Sequence, residues 1–183
     1  MWLSEPWCRD LAASLREHAS INDLGVSPMV AVQCTSFEKS PTNNWLVSLH
    51  QDLSVPVKDR VTTAGLSGWS TKEHQLFVQP PTSVLEDLIA VRVHLDDCGP
   101  DAGGLRVVPG SHRFGRLDMS RAASLRAQYG EIAPEAARGS VLAMRPLLLH
   151  ASSKATVPSS RRVLHFLFGP RSLPLGLTWG MAV

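Results

Sequence analysis

Three things are scarce in this chain, and each scarcity removes a class of function. Charge of one sign is the first: 18 Lys and Arg stand against 16 Asp and Glu, a net +2. The basic residues gather only at His112–Arg116 and at Arg161–Arg162. A nucleic-acid groove needs a concentrated basic face, so no nucleic-acid partner is expected. Long apolar runs are the second. Pro146–Leu149 with its neighbours is the longest, far short of the roughly 20 residues that span a bilayer, so no membrane partner is expected either. Met1–Asp10, interrupted by Glu5, Arg9 and Asp10, also lacks the basic-then-apolar order of a secretory leader. Cysteine is the third. Cys8, Cys34 and Cys98 are odd in number and far apart, which suits reduced thiols in a cytoplasm rather than a disulfide framework. They lack metal-type spacing, so any metal here must be held by His and carboxylate.

What remains is an ordinary globular composition. At 44% hydrophobic and 19% charged residues the chain has none of the signature of disorder, and 183 residues suit a single domain with its own core, residues 1–183. Trp7–Ala19 reads as a helix, with Leu11, Leu15 and His18 recurring on one side. Residues 1–25 thus form a short N-terminal helical segment ahead of a β-rich core over 26–170. In Val26–Phe37, Val30, Val32 and Cys34 alternate against Ala31, Gln33 and Thr35, as in a strand. Ser40–Asn44 is a turn cluster, and Trp45–His50 a second strand. Lys58–Ser83, with two glycines and Pro80–Pro81, reads as an irregular arm over a site. Leu88–Leu95, Leu105–Val108, Gly139–Met144, Leu147–His150 and Arg162–Phe168 are further strands, and Ser120–Tyr129 is a helix with Ser120 as its N-cap. Short strands between turn residues, with few helices, predict an all-β sandwich or barrel. A jelly roll fits best, because its two sheets enclose a cavity open at one end.

The chemistry starts at Ser48-Leu49-His50-Gln51-Asp52. Positions i and i+2 of a strand share a face, so the imidazole of His50 and the carboxylate of Asp52 project together while Gln51 turns away. Two His and one carboxylate with open positions make the facial triad of non-haem iron(II) oxygenases. A bare His-x-Asp is a weak signal, and it needs a third ligand from elsewhere. His18, His74, His94, His112, His150 and His165 are the candidates. His150 stands out because it closes the apolar run Leu147–Leu149 and is succeeded by Ser152, Ser153 and then Arg161–Arg162. An Arg on the next strand could reach behind the metal, where its planar fork holds a carboxylate in bidentate fashion. A solvated Arg pair at a strand start is the alternative, and spacing does not separate the two.

Taken together, these blocks resemble the phytanoyl-CoA dioxygenase family of iron/2-oxoglutarate oxygenases. Phe37–Trp45 running into Leu49-His50-Gln51-Asp52 is similar to the family's first ligand block, and Gly68-Trp69-Ser70 with Val78-Gln79-Pro80-Pro81 to the block after it. Arg92–Asp97, then Gly103–His112, is the most distinctive stretch, and Arg145–Ser153 with Arg161–His165 completes the order. The resemblance implies a double-stranded β-helix, a form of jelly roll, with a few flanking helices. It assigns His50, Asp52 and His150 to Fe(II) and Arg161 to the far carboxylate of 2-oxoglutarate, and it matches Ser152 to an assisting hydroxyl and Gln33 to a co-substrate contact. It gives His112, in the Pro-Gly-Ser-His turn, a structural role. Family members carry more chain before the first strand than Met1–Gly25, so a second copy of this chain, in a homo-oligomer, is a candidate buttress. Phe77 stands where a polar ring is expected.

The expected activity is hydroxylation of a small-molecule substrate with O2 and 2-oxoglutarate as co-substrates. A catalytically silent jelly-roll binding protein and a cupin-type metal-dependent isomerase or hydrolase are the rivals. Little basic surface argues against an acyl-CoA substrate, and the residues do not name another.

Overall fold

The computed structural model describes residues 2–157 and 160–183. Strands outnumber helices: β1 (Val30–Lys39), β2 (Val47–His50), β3 (Val55–Val57), β4 (Ser67–Lys72), β5 (Gln75–Gln79), β6 (Ile89–His94), β7 (Leu105–Val107), β8 (Val141–Met144), β9 (His150–Ser152) and β10 (Arg161–Gly169). The α-helices are α1 (Pro6–Glu17), α2 (Ala19–Asn22), α3 (Thr82–Glu86) and α4 (Met119–Tyr129). The strands form sheets in the orders β1-β10-β6-β8, β2-β9-β7 and β3-β5-β4. The expected mostly-β character with few helices is therefore present.

The chain divides into two compact units. One comprises Met1–Thr35, Leu53–Val91 and His165–Val183; the other comprises Ser36–Asp52 and Arg92–Leu164. β1, β6 and β10 each begin in one unit and end in the other. The burial of β1 tracks that passage. Val30, Val32 and Cys34 are buried, but after Cys34 the parity changes, so that Ser36 and Glu38 are exposed and Lys39 is buried.

In the first unit α1 starts at Pro6, whose fixed φ suits a first helical turn. Its buried face is Cys8, Ala12 and Leu15 rather than the Leu11, Leu15 and His18 face expected, and the helix breaks at His18 in an extended conformation. The thiol of Cys8 hydrogen-bonds that of Cys34, tying the helix to β1. Lys58–Ser83 is not the irregular arm predicted. It holds β4 and β5, which pair antiparallel with each other, and β5 also pairs with β3. The hairpin was hidden because its two-residue turn is Glu73-His74, both at positive φ (47° and 63°), where Asn-Gly or a similar pair is the usual signal. The register also slips between Ser67 and Ser70. Gly68, at φ 58°, lies so close to Gln79 that a Cβ there would fall 2.7 Å from its side chain, so the glycine that looked like a loop residue is a requirement of the strand.

In the second unit α4 lays Ala122 and Leu125 against Val108 and Leu149, with Leu49 and Leu117 packed alongside. This small core stands directly behind His50 and His150, the neighbours of Leu49 and Leu149. The helix is capped by Asp118, whose side chain accepts from Arg121 N at 2.8 Å, and not by Ser120, whose hydroxyl donates to that same carboxylate. A carboxylate at this position also complements the helix dipole. Leu147–Leu149 is likewise not a strand. It is a turn, with Leu148 N donating to Arg145 O, so His150 begins β9 instead of ending a strand. A short apolar run looks like a buried strand in sequence. Here the Leu149 N–H goes to the Ser111 hydroxyl and not to a ladder partner.

Candidate active site

His50 closes β2 and His150 opens β9, and their Cα atoms are register partners in the antiparallel pair. Directly opposed residues put their side chains on one face, and the two imidazole centroids stand 4.1 Å apart at 52°. Asp52 comes two residues after His50. The ligand atoms of His50, Asp52 and His150 all lie within 4.8 Å of one another. His50 Nδ1 is bonded to Ser48 O and His150 Nδ1 to Leu148 O, both at 2.8 Å. Each bond requires the proton on Nδ1, which leaves the Nε2 lone pairs inward. Those Nε2 atoms lie 3.7 Å from the two oxygens of Asp52, His50 on Oδ1 and His150 on Oδ2. Interaction with the Asp52 carboxylate raises the pKa of His50, and burial lowers that of His150. Two oriented imidazoles and a carboxylate converging on one point fit a divalent transition metal.

Gln51, expected only to turn away, has a task of its own. Its amide nitrogen donates to Gly115 O at 2.8 Å and Leu147 O at 2.7 Å, and its oxygen accepts from Leu117 N at 2.8 Å. Asp52 N donates to Pro146 O. The end of β2 is thereby bolted to the loops on both sides of it. Ser111 supports the opposing residue through its bond to Leu149 N, which gives the Pro-Gly-Ser-His turn its structural purpose. His112, the next residue, is outside the metal cluster.

Arg161 and Arg162, indistinguishable by spacing, have opposite fates. Arg162 is exposed and chelates Asp96 through Nε and Nη2, each at 2.8 Å. Arg161 is 2% exposed, and its Nε and Nη1 have no hydrogen-bond partner. A buried guanidinium fork with open donors suits a planar carboxylate. Two further residues, which lie within the resembling blocks but were given no site role from sequence, join it. Lys39 is 1% exposed, and its ammonium donates to Ser152 Oγ at 2.5 Å, Gly103 O at 3.1 Å and the Ser153 carbonyl. Burial, reinforced by the charge of Arg161, pushes its pKa down to about 8. His94 is 4% exposed with neither ring nitrogen partnered. Burial and the charges of Arg92 and Arg161 push its pKa down to about 4, so it is neutral.

Ser152 lies in β9 two residues after His150. Its hydroxyl donates to Gly103 O at 3.0 Å while accepting from Lys39. Gly103 is obligatory here: at φ 65° a Cβ would fall 2.7 Å from Ser153 O and Ala155 N. Gln33 belongs to the first unit, where its amide donates to Thr35 Oγ1 at 3.1 Å. Phe77, in the same unit, is buried beneath the Lys72 ammonium, 5.4 Å from its ring centroid. His94 and Arg92 could have been suspected from the oddity of two cationic residue types inside Ile89–His94; Lys39 could not, because the parity of β1 changes after Cys34.

A mostly-β fold that presents two imidazoles and a carboxylate at one point has the donor set of a non-haem metal site. The family model for phytanoyl-CoA dioxygenase (PhyH) matches residues 5–163, and the chain belongs to that family. Among solved structures it is similar to EctD from S. alaskensis in its apoform, with a TM-score of 0.65, 19% identity, and coverage of 93% of this chain and 55% of that one. It is also similar to SnoN, described as a non-heme alpha-ketoglutarate-dependent epimerase from nogalamycin biosynthesis (TM-score 0.64, 15% identity, 97% and 63% covered). A third is AviO1 from Streptomyces viridochromogenes Tue57 (0.56, 24%, 94% and 61%). The chain thus spans 55% to 63% of the length of these structures, and the likeness establishes a common fold. No curated protein matches the chain. Among the described residues no helix is long and apolar enough to cross a membrane.

Proposed function

We propose that this chain is an iron(II)- and 2-oxoglutarate-dependent oxygenase with a double-stranded β-helix core, acting as a hydroxylase on a small molecule. The observation that carries the reading is the convergence of His50, Asp52 and His150, with both Nδ1 protons pinned to backbone carbonyls. Structures of EctD described with bound Fe, and with 2-oxoglutarate and 5-hydroxyectoine, support the choice of metal and co-substrate.

When bound, iron(II) couples oxidative decarboxylation of 2-oxoglutarate, to succinate and CO2, to transfer of one oxygen atom from O2 into a substrate C–H bond. The protein's own contribution is orientation and charge. His50, Asp52 and His150 offer three donors and leave the remaining positions open. Asp52 also occupies the place that a halide would need, which favours hydroxylation over halogenation. Arg161 offers its open fork to the far carboxylate of the co-substrate, in a dry setting where a charge-assisted pair is strong. Lys39 holds Ser152, and with it the strand that opens with His150, in place.

Incubation with iron(II), O2 and 2-oxoglutarate, without added substrate, tests the reading. An oxygenase releases succinate slowly even when uncoupled, and Arg161→Ala suppresses that release. A silent binding protein makes none, and a cupin-type isomerase or hydrolase is indifferent to Arg161.

A further inference from the structure

His94 has no part in that assignment, yet its ring is left entirely without partners. It closes β6, a strand buried at every position, and is itself 4% exposed. Its backbone is fully used: the N–H donates to Ser140 O at 3.0 Å, and the carbonyl accepts from Gly139 N at 2.7 Å. Both ring nitrogens, by contrast, are buried with no hydrogen bond. Leaving a buried polar group unpaired costs roughly 1–3 kcal/mol, so such groups are few and call for a reason.

Strand register names the neighbour of that ring. In the second unit Leu95 N donates to Arg162 O at 3.0 Å. In the first, a Cβ on Gly169 would fall 2.8 Å from Leu88 Cδ2. These contacts flank β6 at either end, are equally spaced along both strands and run in opposite order, so β6 and its sheet neighbour β10 are antiparallel. One residue in from Leu95 and Arg162, Val163 stands opposite His94. Arg161 shares the face of Val163 and is the diagonal neighbour of His94. Diagonal neighbours are about 7–8 Å apart, within reach of long side chains.

Arg161 is 2% exposed, and its Nε and Nη1 are open as well. The two side chains do not answer each other, although an imidazole nitrogen can accept from a guanidinium. Lys39 brings no acceptor, and its ammonium is taken by two carbonyls and the Ser152 hydroxyl. Among the described residues no Asp or Glu is buried. Burial, with the charges of Arg92 and Arg161, keeps the ring neutral, so it brings one N–H and one lone pair. A carboxylate accepts at about four positions, enough for the open N–H groups of Arg161 and the one of His94 together.

We propose that His94 is a second residue for the far carboxylate of 2-oxoglutarate, donating its ring N–H to the same group that Arg161 clasps. The shared face and the open nitrogens of both side chains carry the proposal. It rests on reading the site as that of a 2-oxoglutarate oxygenase.

Pyruvate isolates that end, because it has the keto acid but no far carboxylate. The test is anaerobic calorimetry of the iron(II)-loaded protein with 2-oxoglutarate and with pyruvate, and with the iron content of each variant measured. His94→Phe, a ring without an N–H, is expected to weaken 2-oxoglutarate about 10-fold or more, the loss of one hydrogen bond to a charged group. Pyruvate binding and iron content stay as in the wild type. His94→Gln, which keeps an N–H donor, recovers part of the affinity. Should the Phe variant fail to fold or load iron, His94→Leu takes its place with the same expectation. Unaltered 2-oxoglutarate binding overturns the proposal, and so does an equal loss of pyruvate, which would make His94 a support of the fold or of the metal end. If Arg161→Met weakens 2-oxoglutarate and the His94 variants do not, the proposal falls while the oxygenase reading stands. If the wild-type protein loads iron(II) but binds neither keto acid, the oxygenase reading itself fails, whatever the variants do.

Discussion

At the β2–β9 end of the site, His50, Asp52 and His150 are fully oriented. Both Nδ1 atoms have a carbonyl, Gln51 clamps the strand end, and the side chains of His50 and Asp52 remain 38% and 39% exposed. At the β6–β10 end, Arg92, His94 and Arg161 are each under 10% exposed, and both His94 nitrogens and two of the Arg161 nitrogens have no partner. Buried polar atoms are seldom left unsatisfied. One end has its donor atoms already oriented by hydrogen bonds, while the other keeps buried donors open. The two ends should therefore fail in different ways.

The largest effect is expected at the metal end. His150→Ala removes a donor outright and should lower uncoupled succinate formation more than about 100-fold, beyond the 10- to 100-fold typical of supporting residues, with iron content falling in parallel. Arg161→Ala should leave iron content intact while weakening 2-oxoglutarate about 10- to 100-fold. Equal losses of iron in the two variants would erase the distinction between the ends. Gln51→Leu strands two carbonyls and one N–H, and should lower stability by about 2–3 kcal/mol in chemical denaturation and iron affinity about 10-fold.

A pH dependence comes next. His94 takes a proton near pH 4 in the folded chain and near its ordinary 6.5 in the unfolded one. Between these values the unfolded chain binds the extra proton, so stability is lost as pH falls from about 6.5 to about 4. The groups facing His94 that sharpen this are Arg92, two residues away in β6, and Arg161 in β10. His94→Gln should flatten that part of the melting-temperature profile. The smallest effect belongs to Arg162→Ala, an exposed partner of Asp96, which should leave 2-oxoglutarate affinity unchanged despite its place next to Arg161.

Much of the site was legible because strand alternation is a rule of covalent geometry. Alternation led to the expectation that His50 and Asp52 project together, although β2 ends at His50 and Asp52 is held just beyond it by its N–H bond to Pro146 O. The third ligand was not forced in this way. His150 was singled out by the Ser152 and Arg161 that come after it, and its run Leu147–Leu149 was misread as a strand, because a short apolar run fits a buried turn equally well. The Glu73-His74 hairpin was missed since neither residue advertises positive φ. Asp118 was passed over for Ser120 because both are good N-caps and sit two residues apart. The pairing of Lys39 with Ser152 joins residues 113 apart in sequence, and no local pattern encodes such a contact.

By itself the sequence determined residue chemistry and short-range geometry: which donors exist, which pairs share a strand face, and the ordered blocks that mark the phytanoyl-CoA dioxygenase family. Only the tertiary structure decided which of two adjacent arginines is buried, that Lys39 is bound to Ser152, and that both ring nitrogens of His94 are buried without a partner. The reason is that burial and electrostatic coupling depend on distance in space, and strands far apart in the chain set those distances when they pair.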